Sequence, residues 1–387
     1  MADIDDALPN QSVSDEEFVE KEVTEIETPN EDIVESSEDV EVTMDEEGGA
    51  EISFDPSAST PEMGENHFDN LAEFLDDETL DPLGTNLYEK FIDYKESRGD
   101  WEQSYREGLN LLGFKYEKRT EPFRGASGVN HPVLAEAVTQ FQAQAYKELL
   151  PADGPVRSQI LGAITPEKQD QANRVKDFMN YQIMDQMKEY EPEFDQMLFF
   201  LPLSGSTFKK VYYDDLLGRA VSKFVPAEDL IVPYSANSLD DAEAIVHVLK
   251  VSENELRKQQ VSGFYKDIDL GQPPVTENQL EDKKLELEGI SKDGQEDQFT
   301  LLEMHVNLDV EGYEDMGPDG EPTGIKLPYI VTILESTNKI LSIRRNYAEG
   351  DKMMKKINYF VQFKFLPGTG FYGFGLIHMI GGLTRTA

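Results

Sequence analysis

The sequence predicts an α+β fold in which helices come first, strands follow, and a charged N-terminal arm stands apart from both. Three observations lead there. Apolar residues recur at spacings of 3 and 4 through residues 81–205, from residue 206 they alternate or cluster as β-branched and aromatic runs, and the first 80 residues hold 28 of the 77 acidic side chains against one base, Lys21. Runs of helix followed by runs of strand are the pattern of α+β architecture. The arm, residues 1–80, is rich in Glu, Asp, Ser, Thr and Pro. It is too charged to bury the apolar surface that would offset its chain entropy, so it is expected to be disordered.

Residues 81–205 form the predicted helical body. Leu87, Phe91 and Tyr94, then Trp101, Tyr105, Leu109 and Leu112, predict two short helices between Pro82 and Lys118, broken near Gly99. Pro122 to Gly128, with two glycines and no periodicity, reads as a loop. Asn130 or His131 then starts a helix with Pro132 in its first turn and the stripe Leu134, Val138, Phe141, Ala145 and Leu149, ended by Pro151. Thr165-Pro166-Glu167-Lys168 starts the next, a threonine cap followed by proline, with Ala172, Val175, Met179, Ile183 and Met187 as its stripe. A further helix carries Phe194, Met197, Leu198 and Leu201 and is stopped by Pro202 and Gly205.

The strand-rich part, residues 206–366, opens with a hairpin. Thr207–Tyr213 and Ala220–Val225 are the strands, and Asp214-Asp215-Leu216-Leu217-Gly218 is the loop, with glycine for positive φ. Pro226 and Pro233 bracket an extended link, since neither can donate an amide and each biases its predecessor toward β. A strand and a helix beginning near Ser252 follow. Residues 267–297 read as a polar surface excursion in which residues 277–289 form a solvated helix. Strands then resume in residues 299–310, 327–336 and 339–347 as a meander with a turn at Thr337-Asn338, and a fourth strand at residues 357–367 continues it. Residues 367–387 comprise a glycine turn and the start of a helix with Leu376, Ile380 and Leu383, which ends with neither cap nor stop signal and so reads as truncated.

Composition limits the chemistry. There is no cysteine, so disulfides and thiolate nucleophiles or ligands are excluded together. No basic-plus-apolar leader and no run of about 18 apolar residues is present, so neither secretion nor a membrane partner is expected. With 35 bases against 77 acids, tight electrostatic capture of DNA is not expected. The five histidines, His67, His131, His247, His305 and His378, have no metal-ligand spacing, and Asp309, Glu311, Glu314, Asp315 and Asp319 lack the spacing of a calcium loop. No phosphate-loop lysine motif exists. Gly368-Thr369-Gly370-Phe371-Tyr372-Gly373 fits a dinucleotide fingerprint, but bulky residues follow the second glycine and the preceding strand belongs to an antiparallel meander, so a strand-to-helix turn needing positive φ is the preferred reading. No cofactor, metal or catalytic residue is assigned, and the chain is not expected to be an enzyme. Lys209-Lys210, Arg344-Arg345 and Arg124 are the candidate contacts to DNA or to neighbouring subunits. Adjacent strand residues face opposite ways, so only one of each pair can meet a given partner.

Three segments carry a resemblance: PFRGASGVNHPVLAEAVTQFQAQAYKELLP from Pro122, SGSTFKKVYYDD through VPAEDLIVPYSANSLDDAEAIVHVLKVSENELRK between Ser204 and Lys258, and FLPGTGFYGFGLIHMIGGLTRTA at the end. In order and wording they resemble the portal proteins of short-tailed bacteriophages. The resemblance spans roughly the last two thirds of the chain. It implies a helical wing-like body beside strand meanders, and a dodecameric ring at one capsid vertex through which a terminase motor packages DNA and through which DNA is later ejected. Implied partners are sister copies, the terminase large subunit, the major capsid or scaffolding protein, head-completion or tail proteins, and double-stranded DNA in transit, not tightly bound. The implied location is the virion, after assembly in the host cytoplasm. The alternatives are another virion connector protein, or a nucleotide-binding enzyme using Gly368–Gly373.

Overall fold

A computed structural model describes residues 40–44, 50–54, 66–113, 123, 131–214, 217–273, 279–290, 298–317 and 319–386. The fold is α+β, with eight α-helices and antiparallel sheets among these residues. The chain divides into two compact units, Met1–Pro61 and Glu62–Ala387. In the first unit, β1 (Val40–Met44) pairs antiparallel with β2 (Ala50–Phe54), Val42 opposite Ile52. The charge count of the arm concealed this pair, although Val-Glu-Val and Ile-Ser-Phe have the period-2 alternation of strands.

The second unit begins earlier than residue 81. Asn70 caps a short 3-10 turn, Leu71–Glu73, and the Asp76 carboxylate caps α1 (Asp77–Ser97), which runs through Pro82 instead of starting there. Arg98 breaks the line, and α2 (Gly99–Asn110) follows as predicted. α3 (Val133–Leu149) buries Leu134 and Val138, but Leu149 faces outward and Leu150 takes its place in the core. α4 (Pro166–Tyr181) has the predicted Thr165 cap, accepting from the Lys168 amide, and continues into a π-turn, Gln182–Gln186. Its expected stripe, however, is not buried: no residue of α4 is. α5 (Tyr190–Ser204) passes through Pro202 and stops at Gly205, whose φ of 85° only glycine adopts at low cost. Glycine sets this boundary; proline, sitting in the last turn, does not.

β3 (Ser206–Asp214) and β4 (Arg219–Pro226) form the predicted hairpin. After Pro226 the chain turns, and β5 (Leu230–Ile231) joins β6 (Ala244–Val251), which leads through the Ser252 cap into α6 (Glu253–Val261). β7 (Phe299–Leu308), β8 (Leu327–Leu334) and β9 (Lys339–Arg345) complete a five-stranded antiparallel sheet in the order β5-β6-β7-β8-β9, with Asn338 at φ 58° in the predicted turn. The fourth strand, β10 (Phe360–Lys364), does not extend that meander. It pairs with β3, Phe360 opposite Lys210 and Phe363 opposite Thr207, to give a second sheet in the order β10-β3-β4. A partner more than a hundred residues away cannot be read from local pattern.

Alternation along the strands divides the core. One face of the larger sheet, with Val246, Leu302, Met304, Val306, Tyr329, Val331 and Ile343, packs under α1 through Leu80, Leu87 and Phe91. The other face meets α6 at one end through Phe299, Leu301 and Leu341, and meets the link residues Leu230 and Val232 with Phe208, Phe360 and Phe371 at the other. α5 covers the outer face of the smaller sheet, setting Phe194, Met197 and Leu198 near Phe224 and Phe363. α2, α3, α7 (Gln279–Glu288) and α8 (Leu376–Thr386) share a further cluster around Tyr105, Leu109, Leu134, Leu280 and Ile377. α7 is thus helical as expected but not merely solvated: Leu280 docks it onto the body.

At the junction of β10, α5 and α8 backbones meet directly. A Cβ on Gly373 would lie 2.5 Å from the Gly205 carbonyl oxygen and 2.6 Å from that of Leu366, whereas one on Gly370 would meet nothing within 4 Å. Gly373→Ala is therefore expected to cost about 1–3 kcal/mol in urea unfolding, the usual penalty of overpacking, and Gly370→Ala less than about 0.5 kcal/mol. Equal effects of the two substitutions would refute this account of the junction.

Candidate functional site

Two buried polar centres organise the second unit. The first is Arg98, buried between α1 and α2. Its Nε donates to Glu102 Oε1 at 2.8 Å, Nη1 to the carbonyls of Ala227 and Leu230 at 3.0 Å each and to Tyr372 Oη at 3.1 Å, and Nη2 to the Glu228 carbonyl. Tyr372 Oη in turn donates to Leu230 O at 2.9 Å, and its ring stacks on Trp101 at 4.9 Å. The guanidinium thus supplies donors to three carbonyls of the link, while the fourth, Asp229 O, accepts from the Val248 amide of β6 at 2.9 Å. Beside it, burial pushes the Asp229 carboxyl up to about 6 and the Lys284 ammonium, paired with Glu228, down to about 8. Lys250 pairs with Glu281 of α7.

The second centre lies between the two sheets. Four polar residues stand opposite one another across the larger sheet, His247 on β6 against Glu303 on β7, Glu303 against Thr332 on β8, and Thr332 against Ser342 on β9. His247, Thr332 and Ser342 are buried, and Glu303 is 14 % exposed. From the smaller sheet Lys210 reaches across, its Nζ 2.6 Å from both Glu303 oxygens. His305 Nε2 lies 2.9 Å from Glu303 Oε1, and His247 Nδ1 lies 3.9 Å away. The Phe360 ring edges against both imidazoles and under the lysine. Burial alone would raise the Glu303 carboxyl; Lys210 and the two histidines outweigh it and hold the acid well below the ordinary glutamate range. Burial also pushes His247 down, so it is neutral near pH 7.

This cluster has the residue types of a metal site without the vacancy of one. Lys210 occupies both carboxylate oxygens, and among the described residues no group of three His, Asp or Glu side chains is arranged to hold a metal ion. The arrangement joins two sheets by a charge-assisted contact. Sequence reading found no metal-ligand spacing among the histidines and saw neither the meeting of His247 with His305 nor Glu303. The available signal was Glu303 and His305 two apart, on one face of an otherwise apolar strand.

The glycine run also differs from its expected role. None of Gly368, Gly370 and Gly373 has positive φ; backbone passes against two of them, Gly368 at the Tyr372 carbonyl and Gly373 at Gly205 and Leu366, while Gly370 faces open space. The Gly373 amide donates to Ser206 Oγ at 2.7 Å, that of Phe374 to Leu366 O at 3.0 Å, and that of Gly375 to His378 Nδ1 at 3.1 Å. Phe371 stacks on Phe208. Of these three amides only that of Gly373 belongs to the run; what separates the run from a βαβ dinucleotide site is the strand before it, since β10 pairs antiparallel with β3.

The remaining candidates are placed as follows. Lys209 and Lys210 point to opposite faces: Lys209 lies over Tyr190 at 4.1 Å and near Ser222 Oγ at 3.4 Å, and burial pushes it down to about 8. Arg344 donates to the carbonyls of Phe68 at 2.6 Å and Phe264 at 3.0 Å, and Arg345 to those of Asn66 and His67 at 3.3 Å. All four thus hold partners within the chain. Arg124 lies outside the described residues. No family model matches the chain, and a search of curated proteins gives no match.

Lys210→Met leaves Glu303 charged and buried, so a loss of about 3–5 kcal/mol is expected, with most of it recovered in Lys210→Met/Glu303→Leu. Urea titrations of the three proteins measure this, and a single-variant loss below about 1 kcal/mol would show the pair to be solvent-compensated. Acid sensitivity follows from His247. Its folded value is below the unfolded value of about 6.5, so the unfolded chain binds the extra proton and stability falls as pH drops below about 6.5. Asp229, raised to about 6, acts in the opposite sense between about 4 and 6. The test is therefore the difference in melting temperature between wild type and His247→Gln from pH 7.5 to 5, which should shrink steadily on acidification. A constant difference would contradict a neutral buried His247.

Proposed function

We propose that the chain is a subunit of a phage portal ring, the dodecamer at one capsid vertex through which terminase drives DNA inward and through which DNA later leaves. One observation carries the reading: the segments that resemble portal proteins, far apart in sequence, form one continuous structural unit. α3 of the first segment packs on α8 of the third, Tyr372 of the third locks the link of the second at Leu230, and the Gly373 amide of the third donates to Ser206 Oγ of the second at 2.7 Å.

The physics of such a subunit is mechanical and electrostatic. Lys209, Lys210, Arg344 and Arg345 are engaged internally, and a chain of formal charge −42 offers a duplex little of the counterion release that drives capture. Weak attraction lets a polymer slide. The proposed partners are sister copies, the terminase large subunit, the major capsid or scaffolding protein and the head-completion or tail proteins, with the virion as the place of action.

Negative-stain electron microscopy of the purified protein at high concentration tests the proposal. Rings with an open central channel are expected. Monomers or closed dimers at every salt concentration would overturn it.

A further inference from the structure

α4 is the anomaly of the second unit. A 16-residue helix with no buried residue lacks the packing from which helices in proteins draw most of their stability. Yet its outward side is not polar. Val175 is 50 % exposed and Phe178 59 %, Met179 and Tyr181 are exposed beside them, and Leu161 and Ile164 lead into the helix uncovered. Val175, Phe178 and Met179 stand at i, i+3 and i+4, one contiguous stripe.

The helix is nevertheless held in a defined direction. Asn180 accepts from the Val156 amide at 2.9 Å and donates to Val156 O at 3.2 Å, and Gly154, at φ 87°, leaves the room its side chain fills. A stripe presented by a pinned helix is ordered before any partner arrives, which lowers the entropy lost on docking.

Charge selects the partner. Between Thr165 and Lys188, Glu167, Asp170, Asp177 and Asp185 are balanced by Lys168, Arg174, Lys176 and Lys188, and some neutralise one another in place, Arg174 with Asp170 at 3.6 Å and Lys176 with Asp177 at 3.3 Å. A stripe with no basic excess has nothing to attract phosphate, whether of nucleic acid or of a lipid surface. Two copies of a chain of charge −42 repel over most of their surfaces. The neutral segment is where they approach without that cost. Along the helix the acids Glu167 and Asp170 come first and the bases Arg174 and Lys176 later, so one copy can also match its signs to another.

We infer that the apolar stripe of α4, centred on Val175 and Phe178, is a contact surface for a second copy of this chain. The inference rests on the ring reading only in requiring that copies meet; it adds which residues meet.

Val175→Glu/Phe178→Glu tests it by light scattering across a concentration series. Neither side chain is buried, so the melting temperature should stay at the wild-type value while self-association weakens roughly 30-fold or more, the loss of an interface anchor. Val261→Glu, at another exposed apolar site, should change nothing. Because the chain has no cysteine, Phe178→Cys carrying a photo-crosslinker reports contact directly, and a band at twice the chain mass is expected. A monomeric wild type at all concentrations, undiminished association of the double variant, or a crosslinker that joins α4 only within one chain would each overturn the inference. Closed dimers that the double variant dissolves would sustain it and sink the ring; rings that persist in the variant would do the reverse.

Discussion

The Arg98 guanidinium joins three parts of the chain, and one of them, the link after Pro226, turns three backbone carbonyls toward it. The link after Pro226 bonds to β6 at Asp229, whose carbonyl accepts from the Val248 amide at 2.9 Å, while its carbonyls at Ala227, Glu228 and Leu230 turn to the guanidinium. An unpaired buried carbonyl costs more than a typical hydrogen bond contributes. One planar fork with five donors satisfies all three and still reaches Glu102 and Tyr372. The break between α1 and α2, the path of the link and the position of the glycine run are therefore settled together, and a lysine in the same place could settle only one of them.

From that lock the two sheets face each other with mostly apolar residues between, and there the Glu303 cluster adds direction. Apolar contacts would tolerate a shift of one sheet along the other. A carboxylate held by a lysine from the opposite sheet would not, since a slip of one residue on β3 would turn Lys210 away and aim Val211 or Lys209 at the acid. Whether the ion pair adds net stability matters less than this: breaking it leaves a charge with nowhere to go. Register and charge satisfaction enforce each other.

What was legible in the sequence was local. Thr165-Pro166, Ser252, Gly205, Gly218 and Asn338 mark ends and turns because cap and φ preferences act within a few residues, and period 2 against period 3.6 separated the helical body from the strands. What was not legible depended on distance. β10 reads as one more strand of a meander until its partner is known, Pro202 reads as a stop although the helix tolerates it in its last turn, and Gly368 and Gly373 read as turn residues when they are there to let backbones touch. Lys209 and Lys210 look like a basic pair, and the pleat sends one into an aromatic pocket and the other to a buried acid. Neither destination leaves a trace in a single strand's composition.

This use of cations has a consequence for the outer surface. Arg98, Lys209, Lys210, Arg344 and Arg345 spend their donors on carbonyls, carboxylates, a hydroxyl and aromatic faces within the chain. Each inward base removes positive charge from a surface already short of it, so the folded protein presents a more acidic exterior than the ratio of 77 acids to 35 bases suggests. Such an exterior holds copies apart as well as polyanions, and assembly can proceed only where the charge is locally cancelled and apolar surface is on offer. Among the described helices, the electroneutral, wholly unburied α4 meets both conditions. The interior's demand for cations and the acidity of the exterior are thus two sides of one allocation, and the proposed contact through the α4 stripe falls where that acidity is locally cancelled.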